Sequence, residues 1–130
     1  EKLKEILSLP VFSRLEGKTL YRERKFLAAI PACEVLALLG EEVAEGECGE
    51  ELVFQGALDL MAEGDTEIEI IDYKYSKKNA EGLYRHYLPQ LTLYKKAVAR
   101  ILKVDEEKIR CTIVNIFQGF EVNMDGAGTC

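Results

Sequence analysis

Three side chains in this sequence have the types and spacing to do chemistry together: Asp59, Asp72 and Lys74. Asp72 and Lys74 close the run Ile68-Glu69-Ile70-Ile71-Asp72-Tyr73-Lys74. Read as a β-strand, the run sends residues two apart to the same face. Ile68, Ile70, Asp72 and Lys74 then form one stripe that passes from apolar to charged. Asp59 lies in an earlier run, Gln55-Gly56-Ala57-Leu58-Asp59-Leu60, that reads as a neighbouring strand. Carboxylates and ammonium groups are costly to bury unless paired or coordinated. A divalent cation between Asp59 and Asp72 resolves that cost most cheaply, so the residues point to a metal site at a sheet edge with a lysine beside it.

The elements that must position these groups follow from the pattern around them. Glu63-Gly64-Asp65 is turn chemistry, which predicts an antiparallel hairpin between a strand over Glu51 to Met61 and the strand ending at Lys74. Gly56 inside the first of these marks a bulge or a close approach. Thr19 to Ile30 reads as a further strand, stopped by Pro31. Within it Glu23 could face the site, although a surface ion pair with Arg22, Arg24 or Lys25 is the plainer reading. After a polar connection from Tyr75 to Asn79, Tyr84, Tyr87, Leu88, Leu91, Tyr94, Val98, Ile101 and Leu102 recur at helical spacing. Pro89 falls inside that helix and predicts either its start or a kink. Tyr87, Gln90 and Tyr94 share one edge of the helix, polar and aromatic, that could look into the site. Arg110 to Gln118 and Phe120 to Asn123 read as two strands, with a frayed tail from Met124 to Cys130. Residues 1 to 16 read as helical turns broken at Pro10. Residues 32 to 50 read as a short apolar helical turn and a mobile acidic, glycine-punctuated loop.

Length and composition bound the answer. At 130 residues and 48% hydrophobic content, the chain is expected to be one domain over residues 1–130. No apolar run is long enough for a membrane helix and no secretory signal opens the chain, so a cytoplasmic protein is expected. The first residue is Glu rather than Met, which reads as a piece of a longer polypeptide. Cys33, Cys48, Cys111 and Cys130 lack any close pairing and read as ordinary free thiols. The net charge of −6 argues against a general nucleic-acid binder. Its distribution is uneven: residues 34 to 70 hold acids and no Lys or Arg, whereas residues 71 to 103 are basic apart from Asp72 and Glu81. The basic segment could track a phosphate backbone, but charge alone favours a solvated helix face.

Three motifs in order carry a family resemblance: G-x-x-D from Gly56 to Asp59, D-Y-K from Asp72 to Lys74, and Y-x-x-Q-L-x-x-Y from Tyr87 to Tyr94. Together they resemble the PD-(D/E)XK nuclease superfamily, and more narrowly the nuclease domain of AddA/RecB-type helicase-nucleases. Tyr21-Arg22-Glu23-Arg24-Lys25-Phe26 and Ala29-Ile30-Pro31-Ala32 also resemble what precedes the site in AddA-type chains, so the likeness covers roughly residues 20–123. It implies an α/β (α+β) restriction-endonuclease-like core, a central mixed β-sheet flanked by helices. It makes Asp59 and Asp72 the metal-binding acids, the Tyr73 carbonyl a further ligand and Lys74 the catalytic lysine, with Gln90 and Tyr94 supporting the site and the substrate strand. The implied cofactor is Mg²⁺, with Mn²⁺ or Ca²⁺ as other occupants. The implied partners are DNA, attached ATP-dependent helicase domains and a second helicase-nuclease subunit.

The implied activity is exonuclease-type hydrolysis of DNA in double-strand break repair and recombination. One departure stands out. Family members usually complete the metal site with a histidine on a helix upstream of the first acid, and this chain has no histidine before Asp59. Its single histidine, His86, follows the D-Y-K motif and reads as an exposed or packing residue. Either the helix that carries the missing histidine was removed with the rest of a longer chain, which agrees with the non-Met start and implies a weakly active or inactive isolated piece, or the domain has lost it. The alternative function is a catalytically inactive relative that binds DNA or docks a partner subunit. A purely structural Asp72–Lys74 ion pair would leave Gln90, Tyr94 and Gly56 unexplained.

Overall fold

A computed structural model describes residues 2–38 and 49–125. Two short helices open it, α1 (Lys2–Leu7) and α2 (Pro10–Arg14). Pro10 starts the second of them, where its missing N–H costs no hydrogen bond. Then follow β1 (Thr19–Pro31), α3 (Ala32–Leu38), β2 (Glu51–Glu63), β3 (Ile68–Lys74), α4 (Ala80–Leu102), β4 (Ile109–Asn115) and β5 (Phe120–Asn123), with a 3₁₀ turn at Glu106–Lys108.

The five strands lie side by side in chain order. Every neighbouring pair is antiparallel except β3 and β4, which run parallel because α4 carries the chain back between them. The result is a mixed sheet with helices on both faces, the α/β core that the motifs imply. On one face, Leu83, Leu91, Tyr94 and Val98 of α4 pack with Leu58, Ile68, Ile70, Ile109, Cys111 and Ile113. On the other, Ile6 and Val11 of the first helices pack with Leu60, Ile71 and Val114. Burying each such aliphatic side chain is worth about 1.5–3 kcal/mol, so both faces contribute to holding the sheet.

The hairpin expected around Gly64 is present, and pairing runs from Glu63↔Ile68 to Leu60↔Ile71. The α4 helix begins at Ala80, capped by the Asn79 side chain, which accepts from the Gly82 N–H at 2.8 Å. It therefore runs through Pro89, and a helix start at Pro89 is ruled out. The expected fraying at Met124 is also overturned. Met124 is buried, and Asp125 accepts from the Cys111 N–H at 2.6 Å and pairs with Lys95 at 2.7 Å. Residues 126–130 and the acidic loop over 39–48, with Cys48 and Cys130, lie outside the described residues. Cys33 and Cys111 are free thiols, and burial pushes the Cys111 thiol far up. Among the described residues no helix is long and apolar enough to cross a membrane.

Candidate active site

The three groups singled out by their spacing meet at one end of the sheet. Asp72 and Lys74 project from the same face of β3, as strand alternation requires, and the lysine Nζ lies 3.0 Å from Asp72 Oδ2. The Lys74 ammonium also sits 4.2 Å from the centroid of the Tyr87 ring on α4, a cation–π contact that orients it. Asp59 arrives from β2, and its Oδ2 accepts a hydrogen bond from the Tyr73 N–H at 2.9 Å. Asp59 thus caps the point where the β2–β3 ladder stops, one step beyond Leu60↔Ile71.

The local path of β1 and β2 is what frees Asp59 for this role. Leu58 and Met61 both pack on the α4 face, yet Leu60 packs on the opposite one, so the alternation of β2 breaks between Leu58 and Leu60. The partner strand breaks at the same level: Tyr21 and Phe26, an odd and an even position, both pack towards α4. The register is preserved across the break, from Arg22↔Leu60 to Arg24↔Leu58. Between those pairs lie Glu23 and Asp59, and Glu23 has the left-handed φ of +49°. Nothing in the residue types announces this, since Glu has no special access to that region.

Electrostatics at the site are those of a strained acid pair. Asp72 is only 6% exposed. Burial raises its pKa above the ordinary carboxylate value, Lys74 lowers it, and the nearby Asp59 raises it again. Its Oδ2 faces the Lys74 ammonium at 3.0 Å. Burial and the Asp59 charge raise the Tyr73 phenol, opposed by Arg22. A buried carboxylate beside a second carboxylate, with one lysine against it, is the donor chemistry a hard cation takes, because such ions bind through oxygen and keep several waters. Among the described residues no group of three His, Cys, Asp or Glu side chains gathers to hold a metal. The fit is that of a two-acid site.

The helix residues divide. Gln90 Nε2 donates to the Tyr94 hydroxyl at 3.3 Å, and Gln90 Oε1 is buried with no partner. The Tyr94 ring lies edge-on to Phe26 at 5.3 Å and near Phe54 at 6.0 Å, in an aromatic cluster rather than against Lys74. Gly56 is the close approach that its place in the strand suggested: a Cβ there would lie 2.6 Å from Phe26 Cζ and 3.1 Å from Tyr94 Cε1. His86 is exposed and rests edge-on against Tyr87 at 4.5 Å.

Two structural features escape the sequence reading. Glu69, on the face of β3 opposite Asp72, is fully buried. Arg14 grips it with both Nε (3.2 Å) and Nη2 (2.8 Å), and the Thr112 hydroxyl donates at 2.8 Å. Arg14 also lies 3.4 Å from Glu121, so α2 is riveted to the back of the site strand. Beyond Lys74, the buried Asn115 Oδ1 accepts from the backbone N–H groups of Ser76, Phe117 and Gln118. Its Nδ2 donates to the Ser76 carbonyl at 3.0 Å, and Gln118 Nε2 donates to the Lys78 carbonyl at 2.7 Å. The connection that leaves Lys74 is thereby stitched to the turn after β4.

The basic stretch from 71 to 103 is largely neutralised by ion pairs. Lys95 pairs with Asp125, Lys96 with Glu34 and Glu106, Arg100 with Glu51, and Arg85 with Glu81. Lys77, Lys78 and Lys103 form no ion pair among the described residues.

Comparison with known proteins agrees with the geometry. The profile of the PD-(D/E)XK nuclease superfamily matches residues 1–124. Three relatives carry the name of an ATP-dependent helicase/nuclease subunit. The protein of Heliobacterium modesticaldum is 33% identical over 120 residues, 85% of this chain and 8% of its own length. That of Oceanobacillus iheyensis is 31% identical over 102 residues, 72% of this chain and 8% of its own length. That of Syntrophomonas wolfei subsp. wolfei is 36% identical over 90 residues, 67% of this chain and 7% of its own length. The chain thus spans less than a tenth of each of these relatives.

Proposed function

The chain belongs to the PD-(D/E)XK nuclease superfamily, and we propose that it is a metal-dependent deoxyribonuclease hydrolysing phosphodiester bonds with Asp59, Asp72 and Lys74. The observation that carries this reading is the meeting of two carboxylates and a lysine at one end of the sheet: Asp72 is only 6% exposed, its Oδ2 lies 3.0 Å from the Lys74 ammonium, and Asp59 accepts from the N–H of the residue between them. Two acids gathered against one lysine are costly to hold without a cation.

Each group has a task that its position supports. Asp59 and Asp72 hold a divalent cation of the Mg²⁺ type. The Tyr73 carbonyl is a third oxygen ligand, because in an extended residue C=O and N–H point to the same side and the Tyr73 N–H already meets Asp59. When bound, the cation supplies Lewis-acid charge against a phosphodiester and makes an associated water more acidic. Lys74, steadied over the Tyr87 ring, donates hydrogen bonds to a non-bridging phosphate oxygen or holds the attacking water. Its charge opposes the negative charge that builds in the transition state. Gln90 and Tyr94 support the helix side of the site.

In its biological setting the domain acts on DNA in the cytoplasm, as the nuclease part, residues 20–123, of a longer polypeptide. Attached helicase domains deliver strands to it during double-strand break repair and recombination, alongside a second protein of the same complex. The words helicase, nuclease and subunit in the names of its relatives support the attached motor and the partner protein.

The test is degradation of linear single-stranded DNA in Mg²⁺ by the chain and by Lys74→Met. Degradation that falls at least about a hundredfold in the variant, with the fold retained, supports the reading. A second reading, an inactive relative that grips DNA, is favoured by the absence of a three-ligand cluster among the described residues. DNA binding without degradation, unchanged in Lys74→Met, would select it.

A further inference from the structure

We propose that Tyr75 is a stacking platform for an unpaired base of single-stranded DNA, with Lys77 and Lys78 beside it to take the flanking phosphates. The inference rests on the nuclease reading and deepens it by naming a surface that grips the substrate strand at the end of the sheet where Lys74 and the acid pair lie. Tyr75 follows Lys74 directly, just past the last pair of the parallel ladder, Lys74↔Asn115. It is 76% exposed. Phe117, from the turn after β4, holds the ring from one side, with centroids 4.8 Å apart and planes at 60°. The two aromatics thus leave the ends of neighbouring parallel strands and meet across them.

The backbone that bears Tyr75 is pinned on both sides. Before it, the Lys74 carbonyl accepts from the Ile116 N–H at 2.8 Å. After it, the Ser76 carbonyl accepts from Asn115 Nδ2 and from Gln118 Nε2, both at 3.0 Å, and the Lys78 carbonyl accepts from Gln118 Nε2 at 2.7 Å. A ring presented from a fixed connection loses little freedom when a ligand covers it.

Charge selects the occupant. Lys77 and Lys78 are exposed and form no ion pair among the described residues. Other cations are unpaired as well; these two share one short connection with an exposed ring. Residues 73–80 and 116–119 contain no Asp or Glu, and the next acid, Glu81, already pairs with Arg85 at 2.6 Å. A π-face flanked by two ammonium groups and no carboxylate fits a polyanion that carries planar bases. A base stacks on the ring while the phosphates on either side of it meet the lysines. Every base has a π-face, so such a platform grips a strand without reading its sequence. A duplex keeps its bases paired and stacked inside, which makes the platform selective for a single strand.

The test is fluorescence anisotropy in Ca²⁺, over a range of salt, with a labelled oligothymidylate and an abasic strand of the same length and phosphate count. The parent is expected to bind the oligothymidylate about tenfold more tightly than the abasic strand, and Tyr75→Ala should bind both with the weaker affinity. Tyr75→Phe should bind as the parent does and Tyr75→Leu as Tyr75→Ala does, because stacking needs a planar ring rather than apolar area. Lys77→Gln combined with Lys78→Gln should weaken both strands alike and reduce the salt slope by about 1.4, the contribution of two phosphate contacts to a single strand. Tyr75→Ala should leave that slope unchanged. A parent that does not distinguish the two strands, a folded Tyr75→Ala that still does, or no binding by the parent would overturn the proposal. Base-dependent binding through Tyr75 with no degradation in Mg²⁺ would sink the nuclease reading and leave this one standing. Degradation in Mg²⁺ with binding indifferent to Tyr75 would do the reverse.

Discussion

The ammonium of Lys74 lies 3.0 Å from Oδ2 of Asp72, a carboxylate only 6% exposed. The Tyr87 ring restrains the lysine from the other side at 4.2 Å. Asp72 is therefore a carboxylate kept ionisable at a cost.

That cost has a pH signature. Because the folded-state pKa of Asp72 is raised, chiefly by burial, the native state holds the proton more tightly than the unfolded chain. Its contribution to stability is then greatest below the ordinary carboxylate value, about 3.9, and is lost as pH rises through the raised folded value. Asp72→Asn removes this dependence. The stability of Asp72→Asn relative to the parent, measured by urea unfolding, is expected to increase as pH climbs from about 3.5 towards neutrality. A difference that is flat or falling with pH would contradict it.

On the opposite face, Glu69 is fully buried and relies on Arg14. Removing one partner of a buried ion pair leaves a stranded charge and typically costs about 3–5 kcal/mol. Arg14 retains 22% exposure, so Arg14→Met is expected at the lower end, about 3 kcal/mol, in chemical denaturation. A loss below about 0.5 kcal/mol would mean that Thr112 and Arg110, whose Nε lies 3.9 Å from Glu69, suffice to hold it.

Gly56→Ala places a methyl group 2.6 Å from Phe26 Cζ, a ring already packed against Tyr94. Overpacking of this kind costs about 1–3 kcal/mol, and a matching loss of thermal stability is expected. Tyr94 accepts the Gln90 hydrogen bond, so the shift should reach the helix side of the site as well.

The parts of the fold legible in the sequence are those fixed by local rules. The run from Ile68 to Lys74 ends in D-Y-K, and alternation alone places Asp72 beside Lys74. Gly64 announces the hairpin, and the α4 stripe announces the helix behind the sheet. What was not legible depends on chain crossings. Nothing around Glu69 in the sequence points to Arg14, 55 residues earlier, which pairs with it. Asp125 reads as tail until the Cys111 N–H supplies a buried donor. The reversal of facing at Glu23 and Asp59 is invisible because glutamate and aspartate follow the strand pattern on either side. The expected ion pair of Glu23 with a neighbouring arginine or lysine is absent among the described residues; its backbone, not its carboxylate, is the unusual feature.

The most direct test of a cation held between the two acids is calorimetric titration of Mn²⁺ or Mg²⁺ into the chain, Asp59→Asn and Asp72→Asn. Thermal unfolding would verify that each variant is folded. A saturable binding event is expected in the parent and should be lost or weakened at least about tenfold in both variants, because neither acid alone completes the donor set. Binding of equal affinity in all three proteins would contradict the two-acid site and leave Asp72 and Lys74 as an unusually placed structural pair.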